Sequence, residues 1–563
     1  MENNKGKEGV KNKIKQMWQK PFIASIAVFV FFFGLISFFY LQAPGTLAIG
    51  DQYFHFRLAD MIKERGLSSM NDFDWIYFSE QRAEGEPRKV QLFNIFQIPF
   101  TFFEDDFLGL KISAIFWASL TLSALYYLLR KFRVPYAFIF ILLLFSSYAI
   151  IFRLLINRSL VLIMSLIFVE IYLAVRQKHK SFLFISFFHA LWHLATFPAP
   201  ILIALVVETI RYILNKKFLF KPILLGIIAV FAGLAVYPQF PNNVTSSLSG
   251  VFSINKNIVS ENSISNVEGK ELKLLDPKTL IENFSVITFI SILSIVYFIY
   301  FYLGVRNKIF ENNYKYKQED HFFFVSFLVL IGSLSGILIL SGRFFDFFVV
   351  SAILTFALTV KKIMENKDIV IKKNYKNYAL VGVFIFVLFL SQNELTDVKK
   401  SAYNKELNTK KQVAHWIKEN SREGDIVFVQ SWNHFPIQFF FNQRVRYTMG
   451  LEPMALKKHS DELFWKWYNI RMYDYYCEQE KDCRKEVKLK KQALKEKPSH
   501  AEYFNKENFT KITKSVKNDF KSKFILSSDG SFNELMLNNK ESFEKHKVFE
   551  GQTDNKFFIG KLE

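Results

Sequence analysis

The sequence predicts a polytopic α-helical membrane domain followed by a small α/β domain outside the membrane. Three observations carry this. Of the 563 residues, 51% are hydrophobic and 17% aromatic, including 66 Phe. The apolar residues fall in blocks of about 18 or more with few charges, the pattern of transmembrane helices rather than of amphipathic stripes. The polar loops between blocks alternate between Lys/Arg-rich and acidic, as the positive-inside rule requires.

The net charge of +21 admits a nucleic-acid binder. The distribution opposes it, because Lys and Arg cluster in the short loops expected inside. With two Cys the chain has no cysteine metal framework and no dense disulfide scaffold. Cys477 and Cys483 are close enough in sequence to pair in an oxidising compartment, or to remain two thiols.

Residues 1–20 are basic, and the block at 21–42 is too long for a signal-peptide core. It reads as an uncleaved first helix with the N-terminus inside. Residues 43–106 carry eleven Asp/Glu against six Lys/Arg and belong outside. Further spans are expected near 107–129, 134–152, 159–175, 181–197, 199–214 and 219–237. Residues 238–283 are polar, with five acids, and are expected outside. Spans near 284–304, 322–341, 343–360 and 378–391 complete about eleven helices. The membrane domain is therefore 1–391, with external loops at 43–106 and 238–283, and 392–563 form an extracytoplasmic α/β domain. There, 405–420 reads as a helix ended by Gly424, and Asp425–Gln430, Lys523–Leu526 and Phe557–Ile559 as strands.

The first chemical candidate is Gly50-Asp51-Gln-Tyr-Phe-His55-Phe-Arg57. A helix from Asp51 to Arg65, closed by Gly66, puts the carboxylate in the first turn, where the helix dipole favours it, with His55 on the same face. Such an acid at a membrane surface suits activation of an acceptor or a divalent metal, or it is a capping residue and no more. The second candidate is Arg343, at the outer start of a late helix. A guanidinium there suits a lipid-linked phosphate, snorkels to the interface, or pairs with Asp346. In the turn Arg153–Ser159, Arg153 and Arg158 are cationic candidates for the same phosphate, or two snorkelling arginines. His189 and His193 at i, i+4 suit a polar helix–helix contact, or line a site for a lipid phosphate. Glu170 and Glu208 are expected at the inner interface. After the first strand of the outer domain come Trp432, Asn433 and His434; Trp432 and His434 take an acceptor-binding role only through the family resemblance that follows.

The Asp51 segment resembles the first external loop of the GT-C glycosyltransferases, in particular the catalytic subunit of oligosaccharyltransferase: an Asp, an aromatic-rich stretch and an Arg just after the first helix. The order of helices, acidic first loop, late external loop and outer domain is similar too. The resemblance implies a sugar delivered on a polyprenyl phosphate or diphosphate, with Asp51 as catalytic acid–base or metal ligand and Arg343 against the donor phosphate. Arg57, Arg153 and Arg158 are secondary phosphate candidates, and His55, His189 and His193 possible site-lining residues. It implies Mg or Mn as a possible cofactor. Two departures are visible. The turn at 153–159 lacks the family's second acidic motif, and Trp432-Asn433-His434 lacks the sequon-reading Asp.

Bacterial membrane proteins of the same layout are similar, which points to a bacterial plasma membrane, with the N-terminus cytoplasmic. The expected partners are the bilayer and a polyprenyl-linked sugar donor, without nucleic acid. The expected function is transfer of that sugar to an acceptor on the outer face. The alternative is a non-enzymatic transporter, flippase or assembly factor for envelope glycans. A transporter would show internal repeats, and none is evident.

Overall fold

A computed structural model describes residues 20–47, 50–67, 73–79, 91–237, 240–241, 243–244, 275, 277–311, 314–340, 342–366, 373–402, 405–451, 453–477, 485, 487–489, 492, 501–528, 530–550 and 556–562. The chain forms two compact units. The first comprises Met1–Leu47, Gln91–Phe93 and Phe102–Ala402; the second comprises Ala48–Val90, Asn94–Thr101 and Tyr403–Glu563.

In the first unit a helix occupies each apolar segment read from the sequence. They are Pro21–Tyr40, Asp106–Lys131, the broken pair Ala137–Phe145 and Tyr148–Leu155, Leu160–Val175, His179–Trp192, Ala199–Asn215, Phe220–Ala235, Ser285–Phe310, Gln318–Ile339, Phe345–Glu365 and Lys373–Ala402. Among the described residues six helices are long and apolar enough to span a bilayer, or seven with the broken pair. Several others, such as the 16-residue Leu160–Val175 and Phe220–Ala235, are shorter. The chain is an integral membrane protein.

Local chemistry sets the helix ends. Pro21 opens the first helix, where its missing N–H costs nothing. Asp105 caps the next, its Oδ1 accepting from the Phe107 N–H at 2.9 Å. Two segments depart from expectation. The span read at 134–152 bends by 92°, with Ser147 extended at the break, so Arg153 lies inside a short helix rather than in a turn. The last helix, read to 391, runs on to Ala402, because residues 392–402 contain neither Gly nor Pro. Glu208, expected at the interface, is buried and bonded to Arg211 at 2.8 Å.

The second unit is built on a five-stranded sheet of order β2-β1-β3-β5-β4. The strands are β1 (Ile426–Val429), β2 (Arg446–Tyr447), β3 (Phe524–Ser527), β4 (Lys545–Glu550) and β5 (Lys556–Lys561). β1 lies between β2 and β3, parallel to both, and β5 is antiparallel to β3 and β4. Every residue of β1 and β3 is buried, as expected of parallel strands covered on both faces. Gly424, at φ +80°, makes the turn into β1. The edge at β2 is covered by the first loop: Ile76 pairs parallel with Tyr447, and the Tyr77 and Tyr447 N–H groups donate to Tyr447 O and Trp75 O, each at 2.8 Å. Cys483 lies outside the described residues, so its pairing with Cys477 does too.

Candidate functional site

In the second unit the helix Gly50–Arg65 packs against the helix Phe435–Phe441. The contact is aromatic: Phe54 meets Phe435 and Phe439, and Tyr53 meets Phe440, with ring centroids 5.3–6.0 Å apart. At the head of the first helix a Cβ on Gly50 would lie 2.9 Å from Pro436 Cγ. Only a glycine lets the two backbones close this far, and the half-buried Asp51 is the next residue. Asp51 thus stands in the first turn of its helix, one residue after the contact with Pro436.

The rest of that helix is clamped. Arg57 donates from Nε to Phe440 O at 3.0 Å and from Nη1 to Asp60 Oδ2 at 2.6 Å. Its guanidinium also lies 4.8 Å from the centre of the Phe440 ring. Lys63 closes the other side of Asp60 at 2.6 Å and bonds Thr101 O at 2.9 Å. Arg57 was read as a phosphate candidate. Its hydrogen bonds fasten the Asp51 helix to the helix Phe435–Phe441 and to its own Asp60. The i, i+3 spacing of Arg57 and Asp60 was a readable signal of this. His55 is half-buried, and its Nδ1 accepts from Asn94 Nδ2 at 3.0 Å when the ring carries its proton on Nε2.

At the end of β1, Trp432 is half-buried and Asn433 exposed, on a single 3₁₀ turn. His434 is different. It is only 4% exposed, its Nε2 meets Ser528 Oγ at 2.8 Å, and its ring packs on Phe557. The imidazole faces the interior of the domain, so the acceptor role assigned to it does not fit its position. Burial first, then the charges of Lys410 and Arg471, push its pKa well below the ordinary 6.5.

The first unit brings together residues far apart in sequence. Arg153 Nε lies 3.2 Å from Asp346 Oδ1, with both side chains largely buried. Asp346 sits in the first turn of Phe345–Glu365, three residues after Arg343, which is exposed on the 3₁₀ turn Gly342–Phe344. That turn is seated by Phe344, whose ring fills the space a Cβ on Gly336 would need. Asp346, three residues from Arg343, thus also meets a cation from a distant helix, Arg153. Arg158 is half-buried in the following turn, where Asn157 Oδ1 accepts from Ser113 Oγ at 3.2 Å.

His189 and His193 both meet Thr196 Oγ1, at 2.9 and 2.8 Å. His193 is the extended residue that ends its helix, at φ −148°, its N–H still donating to His189 O at 3.1 Å. Glu170, read as interfacial, is fully buried against His189 Nδ1 at 3.0 Å.

No protein-family model matches the chain. No curated protein matches it. Among solved structures, the archaeal oligosaccharyltransferase AglB from Archaeoglobus fulgidus, in complex with an inhibitory peptide and a dolichol-phosphate, is similar over 97% of this chain and 74% of its own, with a TM-score of 0.50 and 11% identity. ArnT from Cupriavidus metallidurans, bound to undecaprenyl phosphate, matches 95% of this chain and 97% of its own at a TM-score of 0.48 and 9% identity.

The chain shares its fold with that archaeal oligosaccharyltransferase. At this identity the likeness concerns the fold, and residue roles are argued from the chain itself. Within a GT-C frame a divalent metal would need a set of acids. Asp51 is one, the turn at 153–159 supplies none, and among the described residues no group of three or more His, Cys, Asp or Glu comes together. The donor set that is described does not make a carboxylate metal site.

Proposed function

We propose that the protein is a membrane glycosyltransferase that moves a sugar from a polyprenyl phosphate or diphosphate to an acceptor on the outer face. The packing of Gly50 against Pro436 carries the reading, because it fixes the start of the clamped helix whose first turn holds Asp51. A carboxylate held there takes the proton from the acceptor nucleophile as that atom bonds the sugar C1. The C1–O bond to phosphate breaks, the polyprenyl phosphate or diphosphate leaves, and attack opposite the leaving group inverts C1.

Arg343, exposed on its turn, meets the donor phosphate through charge-assisted hydrogen bonds. Arg153 holds Asp346 in the turn that follows and so orients that cation. Trp432 supplies an apolar face for the acceptor. His55, bonded to Asn94, shares the helix face of Asp51. These steps need no metal. The presence of AglB among the similar structures supports the reading at the level of fold.

The test is transfer by the purified full-length protein in proteoliposomes holding a polyprenyl-linked sugar. Formation of glycosylated acceptor supports the enzyme. Movement of the lipid between leaflets without transfer supports the flippase alternative.

A further inference from the structure

Four side chains of the membrane unit form one continuous hydrogen-bonded chain. Glu170 Oε1 meets His189 Nδ1 at 3.0 Å. His189 Nε2 meets Thr196 Oγ1 at 2.9 Å, and Thr196 Oγ1 meets His193 Nδ1 at 2.8 Å. Glu170 and His189 are fully buried, whereas Thr196 and His193 are half-buried. The second carboxylate oxygen of Glu170 has no hydrogen-bond partner among the described residues.

A hydroxyl between two imidazoles has one proton, so it donates to one ring and accepts from the other. With Glu170 ionised every link is made in one direction. His193 Nδ1–H donates to Thr196 Oγ1, Thr196 O–H donates to His189 Nε2, and His189 Nδ1–H donates to Glu170. With Glu170 protonated every link is made in the reverse direction on the same heavy-atom positions. Its carboxyl donates to His189 Nδ1, His189 Nε2–H to Thr196, and Thr196 O–H to His193 Nδ1.

We propose that Glu170, His189, Thr196 and His193 are a proton-transfer chain, connecting a carboxylate buried in the membrane unit to the half-buried ring of His193. A proton taken up at His193 Nε2 releases the Nδ1 proton to Thr196. Thr196 passes its own to His189 Nε2, and His189 gives its Nδ1 proton to Glu170. Each residue that gains a proton loses one except Glu170, which becomes neutral. Ionisable chains of this kind in membrane helices are characteristic of proton movement, and the low dielectric strengthens each link while it penalises an isolated buried charge.

The charges on the surrounding helices are engaged elsewhere. Lys111 bonds Ala43 O, and Glu208 bonds Arg211, which also donates to Ala174 O one turn from Glu170. His321 bonds Val207 O and Tyr316. Glu319 and Asp320 hold Lys361 and Lys362, and Asp346 holds Arg153. Glu170 therefore exchanges its proton through His189.

Two measurements on the full-length protein test this. In ¹⁵N-histidine NMR of the wild type, His189 and His193 must carry their protons on the same nitrogen, both on Nδ1 or both on Nε2, and change over together as pH is varied. Opposite tautomers, or one ring changing without the other, overturn the proposal. In infrared spectra, the carboxylic band that Glu170→Gln removes must exchange deuterium in the wild type and in Thr196→Ser, and lose that exchange in Thr196→Val. Absence of a Glu170-dependent band at every pH, or unchanged exchange in Thr196→Val, also overturns it. A chain serving only as a brace gives a Thr196→Val protein that unfolds earlier yet exchanges as before.

Discussion

Gly50 and Pro436 meet so closely that a single methyl group on Gly50 would lie 2.9 Å from Pro436 Cγ. Residues 386 positions apart in the chain thus define where the Asp51 helix begins, and the contact has no room for adjustment except by moving the proline. Gly50→Ala is expected to cost about 1–3 kcal/mol of stability through overpacking, and to lower transfer beyond what that loss explains, because Asp51 moves with its helix. Transfer rate per folded protein, set against the thermal unfolding midpoint, separates the two effects. Gly50→Ala transferring like wild type would break the link between this contact and the site.

Arg57→Ala removes two hydrogen bonds and a ring contact, leaving Lys63 as the remaining partner of Asp60. The expected result is a loss of about 1–3 kcal/mol with the KM for the lipid donor unchanged. A donor KM raised with stability intact would return Arg57 to the phosphate role that its place in the sequence suggested.

Arg153 and Asp346 are predicted to behave asymmetrically. Arg153→Ala removes a cation from a largely buried carboxylate and costs up to about 3–5 kcal/mol. Arg343→Ala, on an exposed side chain, leaves the unfolding midpoint in place and raises the donor KM. Unfolding curves and donor titrations of the two variants check this; an Arg343→Ala protein with an unchanged donor KM removes it from the phosphate site.

His434 gives the unit that carries the sheet a pH-sensitive stability. Its pKa in the fold lies well below 6.5, so below about pH 6.5 the unfolded chain binds a proton that the folded chain does not. Stability is fully present above that value and falls as pH falls. In His434→Gln the decline between about pH 7 and 5 should flatten, as read by thermal unfolding of the full-length protein at several pH values.

The membrane unit was legible because block length and loop charge are local properties. Each apolar segment became a helix, and Asp425–Gln430, Lys523–Leu526 and Phe557–Ile559 became β1, β3 and β5. The helix Gly50–Arg65 was legible too, from its Asp start and its Gly66 stop at φ +75°. What failed was non-local. The break at Ser147 depends on packing around the bent pair, which no run of apolar residues encodes. Nothing in the i, i+4 spacing of His189 and His193 announces that Thr196, beyond the helix end, draws both rings. Nor does sequence separation reveal that Asp346 meets Arg153, 193 positions away. His434 looked like a surface residue beside Trp432, and a 3₁₀ turn rotated it into the core.

The most direct measurement is sugar transfer from a polyprenyl-linked donor by the purified protein, wild type against Asp51→Asn. The substitution keeps the size of the side chain and removes its ability to take a proton. The account predicts a fall in transfer of about 10²-fold or more, with an unchanged unfolding midpoint and unchanged donor binding. Transfer by Asp51→Asn at the wild-type rate would contradict it.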